Sequence, residues 1–352
     1  MRRSTVRRRG AALLWLALCG WLLPGLTGCA SAPVGAHAQP TATPAPATLP
    51  LPPLLGAYHL YVTDLVSGDL YALGAQTYAV ARSTHGLGLS PDGQSLYVTD
   101  SIGDRLLIFH LSGGRLSDEH AVKVGAQPVH MVASPDGRYI FVTNFSGSSV
   151  SVVDTTTWRV ARTIQTPAAP HSIVTSPDGR YAYVACYLGA AVAIIDIARQ
   201  ALVGTIPLPP LARPYGLGIS ADGHYLYASD NFSGRLFTLD ALARRALTST
   251  QVGLAPALIA RAPDGRRLYV ANGKSHDLSI VDITSDPAAP SVIATVPLDG
   301  YPHGVSVTPD GRYVAVADTV SGHVEIVDAL SHQVIATVTG MKYPNDTLSL
   351  AA

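Results

Sequence analysis

A short turn motif recurs along this chain at a nearly constant interval, and that interval restricts the fold more than any other feature. Pro-Asp-Gly, replaced once by Ala-Asp-Gly, begins at Pro91, Pro135, Pro177, Ala221, Pro263 and Pro309, at spacings of 44, 42, 44, 42 and 46 residues. The stretch from His130 to Ile164 shows the content of one period. His130 to Ser134, Tyr139 to Thr143, Val150 to Val153 and Arg159 to Ile164 are runs of apolar, β-branched and aromatic residues bounded by Gly, Pro, Asn or Asp. Four short strands in a period of roughly 40–50 residues predict one blade of a β-propeller.

Each turn is followed by a related strand: YVTD at Tyr97, FVTN at Phe141, YVAC at Tyr183, YASD at Tyr227, YVAN at Tyr269 and AVAD at Ala315. The third strands close on an apolar pair and an acid, at Asp154, Asp196, Asp240, Asp282 and Asp328. These motifs resemble the YVTN-repeat β-propeller family over nearly everything from Tyr58 to the C-terminus. The resemblance implies an all-β, seven-bladed propeller with four-stranded antiparallel blades, and it names no single activity.

The blade count depends on how the ends meet. Tyr58 to Asp64 matches a second strand, with third and fourth strands expected at Leu70 to Leu73 and Tyr78 to Ala81, but no first strand precedes it. At the other end Tyr343-Pro-Asn-Asp-Thr-Leu-Ser-Leu matches the first-strand pattern Tyr301-Pro-His-Gly-Val-Ser-Val. Thr347 to Ala351 is therefore expected to supply the missing strand, giving seven blades and removing two exposed edges.

Ahead of the repeats, Arg2, Arg3, Arg7, Arg8 and Arg9 precede an apolar run from Ala11 to Leu23, too short for a span of about 20 residues. Leu26-Thr27-Gly28-Cys29 follows and resembles the lipobox of bacterial lipoproteins. The resemblance implies a signal peptide over residues 1–28, cleavage before Cys29 and a lipid on its sulfur; the alternative is an ordinary signal peptide with an incidental cysteine. Residues 29–57 are rich in Ala, Pro and Thr and read as a tether. Residues 58–352 form the propeller. The expectation is an exported head, lipid-anchored in the bacterial cell envelope, with the membrane as a partner through its lipid. Ala30 lacks the acid that resembles an inner-membrane retention signal.

Loss of the five arginines leaves 19 basic against 24 acidic residues, which is not the footprint of a nucleic-acid binder. Only Cys186 remains after Cys19 is removed and Cys29 is modified, so no disulfide braces the head. The chain has no Gly-rich phosphate loop, zinc-finger spacing or nucleophile elbow.

Function is expected where the blades differ at the start of their innermost strands. Six residues before each turn stand His85, Val129, His171, Tyr215, Ala257 and His303, with Asn345 in the closing strand and His130 one residue off register. In a closed ring these face one channel mouth. Pairing across a two-residue turn places His85 opposite Asp100, Tyr215 opposite Asp230, His303 opposite Asp318 and His171 opposite Cys186. A carboxylate behind an imidazole fixes its tautomer for metal binding or acid–base work; the same pair also serves as a plain strand-end hydrogen bond. His85, His171 and His303 are the metal-ligand candidates. Cys186 is either a thiol activated by His171 or an inert packing residue. Arg261 replaces an apolar inner-strand residue and is a candidate anion contact. Glu119 and Glu325 are the only glutamates, and Glu325 is expected to be solvated.

These features rank a non-catalytic scaffold binding a protein, glycan or small ligand first. A propeller carrying a transition metal or metal-containing cofactor comes next, through resemblance to relatives that hold haem d1 or act beside quinoproteins. A lactonase-like hydrolase comes third, because the carboxylate supply for a metal site is thin.

Overall fold

The structure is a computed structural model that describes residues 49–352, apart from the side chains of Asp118 and Glu119. The expected signal peptide, Cys29 and most of the expected tether lie outside the described residues. Within them are 28 strands in seven four-stranded antiparallel sheets, one short 3-10 turn at Pro53–Leu55, and no helix long and apolar enough to cross a membrane. Blade 1 is built on Pro344–Ala351, Tyr58–Asp64, Asp69–Ala72 and Gln76–Ala79. The innermost strands of blades 2 to 7 are Thr84–Leu89, Pro128–Ala133, Pro170–Thr175, Pro214–Ile219, Pro256–Arg261 and Pro302–Val307.

The closing strand is the expected one and starts three residues earlier. Pro344–Ala351 runs antiparallel to Tyr58–Asp64, pairing Tyr58 with Ala351, Tyr61 with Leu348 and Asp64 with Pro344. The Pro-Asp-Gly motif makes its turn through local chemistry. The preceding hydroxyl donates to the turn carboxylate, as Ser90 does to Asp92 and Ser134 to Asp136, each at 2.5 Å. Gly93 and Gly137 then take φ near 70°, where a side chain is strained.

The core lies between blades. The aromatic residues that open the second-strand motifs are all buried, and they pack on the next sheet: Phe141 clusters with Ile173, Ala182 and Val184, and Tyr183 with Leu217, Leu226 and Ala228. Burying such a ring stabilises by about 2–3 kcal/mol. Tyr61 and Tyr227 also satisfy their hydroxyls, on the carbonyls of Gly114 and Pro287.

One irregularity recurs and displaces the expected pairs. Between the second-strand partner of each innermost strand's first residue and that of its later residues the register shifts, so Thr84 pairs with Asp100 while Leu87 pairs with Val98. In the same way Pro170 faces Cys186, Pro214 faces Asp230 and Pro302 faces Asp318. A turn-based count cannot see an extra residue at the far end of the hairpin.

Candidate functional site

The second-strand motif positions the innermost strand of the following blade. Thr63 Oγ1 donates to the carbonyl of His85 at 2.6 Å, Thr143 to that of His171 at 2.6 Å, Thr99 to that of Val129 at 2.8 Å and Ser229 to that of Ala257 at 2.6 Å. Neighbouring innermost strands approach so closely that a Cβ at Gly86 would lie 2.3 Å from the Val129 oxygen, and one at Gly304 would lie 2.4 Å from that of Asn345. The Gly after His85, Tyr215 and His303 is a consequence of this approach.

Side chains from six blades consequently meet at the axis. Ring centroids lie 5.1 Å apart for His85 and His130, 5.6 Å for His85 and His171, 4.9 Å for His130 and His171 and 6.2 Å for His85 and His303. Tyr215 stacks on His171 at 3.7 Å, and its hydroxyl lies 2.9 Å from Nε2 of His303. Nδ1 of His303 is 2.9 Å from the carbonyl oxygen of Asn345, which only accepts. Neutral His303 therefore carries its proton on Nδ1, and the Tyr215 hydroxyl donates to Nε2. The Asn345 amide donates to the carbonyl of His85 at 3.1 Å. Phe145 and Tyr187 pack over this layer, against His171 and Tyr215.

One member was not expected. Oδ2 of Asp346 accepts from the Leu87 amide at 3.1 Å, with His130 Nδ1 3.8 Å away. The two side chains each keep 10% of their surface exposed, whereas His85 and His171 keep none. The signal was present one register position further on, where successive blades carry Gly86, His130, Ser172, Gly216, Leu258, Gly304 and Asp346. A Cβ at Gly86 would lie 2.9 Å from Nδ1 of His130, so the glycine leaves room for that ring.

Desolvation dominates the electrostatics. It pushes His130 down to about 3 and His303 down to about 4, and holds His85 and His171 well below the usual imidazole range, with the neighbouring imidazoles adding to the effect on His85, His130 and His171. All four are neutral at pH 7. The same burial pushes Asp346 up to about 7. Neither ring nitrogen of His171, nor Nε2 of His130, makes a well-formed hydrogen bond to a described residue; the nearby Tyr215 backbone only partly offsets the burial of His171.

Several expectations are corrected. Asp100, Asp230 and Asp318 do not back the rings, because the register shift turns them to other partners. Asp100 binds Arg105 at 2.7 Å, while Asp230 and Asp318 accept the amides of Arg213 and Tyr301. Cys186 does not face His171. It lies in the apolar cluster of Phe141, Val184 and Ile195, and burial pushes its thiol up to about 12. Arg261 ends its strand near the Pro-Asp-Gly turn, opposite Leu268, at the other end of the channel from the histidines. His85, His171 and His303 are not arranged as a metal triad: Tyr215 lies against both His171 and His303, and both nitrogens of His303 are engaged. Glu325 is buried at 4% exposure rather than solvated.

Comparison with known proteins agrees with this architecture. Residues 59–219 match the YNCE-like β-propeller model, and residues 235–334 match the model of the seven-bladed β-propeller lactonases. The chain is a β-propeller protein. The propeller is 38% identical over 73 residues to a 6-phosphogluconolactonase of Enterobacter sp. (strain 638), a segment that is 19% of this chain and 22% of that relative. Among solved structures it is similar to the periplasmic gluconolactonase of Pseudomonas aeruginosa, with a TM-score of 0.72, 22% identity and coverage of 84% of this chain and 99% of that one. It is also similar to the Kuenenia stuttgartiensis hydrazine synthase, with a TM-score of 0.66, 22% identity and coverage of 75% and 88%. At such identities these two likenesses speak for the fold alone. The lactonase model and the curated relative overturn the expectation of a non-catalytic scaffold and favour the hydrolase alternative. The thin supply of glutamate that ranked it last did not count Asp346, an axial carboxyl contributed by the closing strand.

Proposed function

We propose that the protein opens a sugar lactone by hydrolysis at the Asp346–His130 edge of the axial cluster. The observation that carries this reading is a carboxyl raised to about 7, partly exposed, beside a neutral imidazole. A general base poised near the working pH combines a useful ionised fraction with useful basicity. Ionised Asp346 takes a proton from water as the oxygen attacks the lactone carbonyl. The tetrahedral intermediate then collapses, the ring C–O bond breaks, and the departing alkoxide recovers the proton from Asp346, leaving the open hydroxy acid. His130, held against Asp346, orients it and completes the edge. His85, His171, Tyr215 and His303 keep that edge dry and so keep the base weakly acidic.

Glucono-δ-lactone and its 6-phosphate are the substrates to test, with acid release followed at constant pH. The wild-type rate is expected to rise with pH through about 7 as Asp346 ionises. Asp346→Asn retains an acceptor for the Leu87 amide and is expected to lower kcat by roughly 10²–10⁴-fold. Full activity in a folded Asp346→Asn protein, or no turnover of either lactone by wild type, would sink this reading.

The repeat motifs support membership of the YVTN-repeat group, and Leu26-Thr27-Gly28-Cys29 supports an exported, lipid-anchored head. Cys29→Ser is then expected to release the protein from membranes or leave it unprocessed. Detergent-phase partitioning of a processed Cys29→Ser protein would refute an anchor at that residue.

A further inference from the structure

The second cluster of titratable groups lies off the axis, at the mouth-side corner of blade 7. Asp318 ends the second strand of the blade, and His323 and Glu325 lie on its third, His323–Asp328. Nε2 of His323 is 3.9 Å from Oδ2 of Asp318 and 3.9 Å from Oε2 of Glu325. Asp299, on the connection from blade 6, joins them: its amide donates to Oε2 of Glu325, and its carboxylate, a ring nitrogen of His323 and the Glu325 carboxylate place ligand atoms within 4.8 Å of one another.

Comparison with the other blades shows what is unusual here. In blade 2 the residue in the His323 register is Arg105, which neutralises Asp100 directly. In blade 3 the corner is uncharged, with Asn144 bonded to Ser151 at 2.9 Å; in blade 6 the Asn272 amide bonds Ser279 at 2.9 Å and meets the single acid there, Asp277, at 2.6 Å. Blade 7 puts an acid at both of those positions and a histidine between them. Among the described residues no lysine or arginine pairs with Asp299, Asp318 or Glu325. Asp318 is fully buried and Glu325 nearly so, yet Oδ2 of Asp318 and Nε2 of His323 are both buried without a hydrogen-bond partner. The spacing is too long for a hydrogen bond. It is close to the separation of ligands around a shared ion, about 3–4 Å for bonds of about 2.0–2.2 Å.

We propose that Asp299, His323 and Glu325, with Asp318 behind them, hold one divalent transition ion such as zinc or manganese. One imidazole with two or three carboxylates suits a borderline to hard ion. The ion supplies the positive charge that Arg105 supplies in blade 2. It also ties the blade 6–7 connection to the body of blade 7, immediately before the strand that carries His303.

The test is titration of the chelator-treated full chain with Zn²⁺ and, separately, Mn²⁺. One of them is expected to bind at one ion per chain with a micromolar or tighter Kd, raising Tm by about 3–5 °C at a hundredfold excess over Kd. Glu325→Gln and His323→Gln are each expected to weaken binding at least tenfold. Asp299→Asn, at an exposed position that does not disturb the core, should do the same and covers the case in which a buried variant fails to fold. His171→Asn should leave binding unchanged, which separates this site from the axial cluster and its proposed chemistry. No binding of either ion at 1 mM, equal binding by Asp299→Asn and wild type, or loss of binding on His171→Asn would overturn the proposal.

Discussion

Removal of residues 344–352 is expected to leave a chain that aggregates instead of folding. The closing strand supplies the inner edge of blade 1 and pairs with Tyr58–Asp64 along most of its length. Without it the buried side chains of Tyr61 and Val62 lose their cover on one side, and blade 1 presents an unpaired edge to solvent. The axial cluster also loses Asn345, which holds His303 and the carbonyl of His85, and Asp346. Losing a whole buried strand removes more than about 5 kcal/mol, comparable with the entire stability of a typical domain. Size-exclusion chromatography and thermal melting of the truncated protein provide the check. A monodisperse truncated head melting at the wild-type temperature would mean that the ring closes in some other way.

Acidification is expected to unfold the head between about pH 6 and 4. The folded pKa values of His85, His130, His171 and His303 are all lowered from the ordinary value near 6.5. Below about pH 6.5 the unfolded chain therefore binds protons that the folded one does not, and stability falls as pH falls, by about 1.4 kcal/mol per pH unit for each histidine. For His303 the loss ends near its folded value of about 4, and for His130 near 3. Asp346 has the opposite sign. Its folded pKa is raised to about 7, so the folded state takes up a proton first and gains stability as pH falls from 7 toward 4. Glu325, also raised to about 7, has the same sign as Asp346. The net is two histidine equivalents, or about 2.7 kcal/mol per pH unit between about pH 6.5 and 4.5. Two units remove about 5 kcal/mol, comparable with the lower end of a typical domain's stability of about 5–15 kcal/mol. Chemical denaturation at a series of pH values measures the slope directly. Replacing His85 and His171 together by Gln should bring it close to zero. A stability that stays flat from pH 6 to 4 would show that the four rings are not held neutral.

The local parts of this protein could be read in advance because each is decided by neighbouring residues. A Pro-Asp-Gly turn needs only a hydroxyl, a carboxylate and a glycine free to take positive φ, and these stand together in the chain. Repetition then turned local signals into a global one. Six turns at a near-constant spacing, with an orphan second strand at Tyr58 and an orphan first strand at the end, left one simple way to close the ring. The ring positions of His85, His130, His171, Tyr215, His303 and Asn345 followed from the same register. What they touch did not. A one-residue irregularity at the start of each innermost strand moved Asp100, Asp230, Asp318 and Cys186 away from the rings, and no count from the turn reveals it. Convergence at the axis depends on how closely seven strands approach, which leaves no room for a side chain at Gly86 and brings Asp346 within 3.8 Å of His130. Glu325 is buried for the same kind of reason: its third-strand position is covered in other blades too, at Ser151, Ala193 and Ser279, and the small or polar residues there do not reveal that cover. Sequence by itself determined the blades, their number and the residues that start them. Tertiary structure alone decided which charges are desolvated and which side chains share a site, because burial and distance between blades are properties of the closed ring.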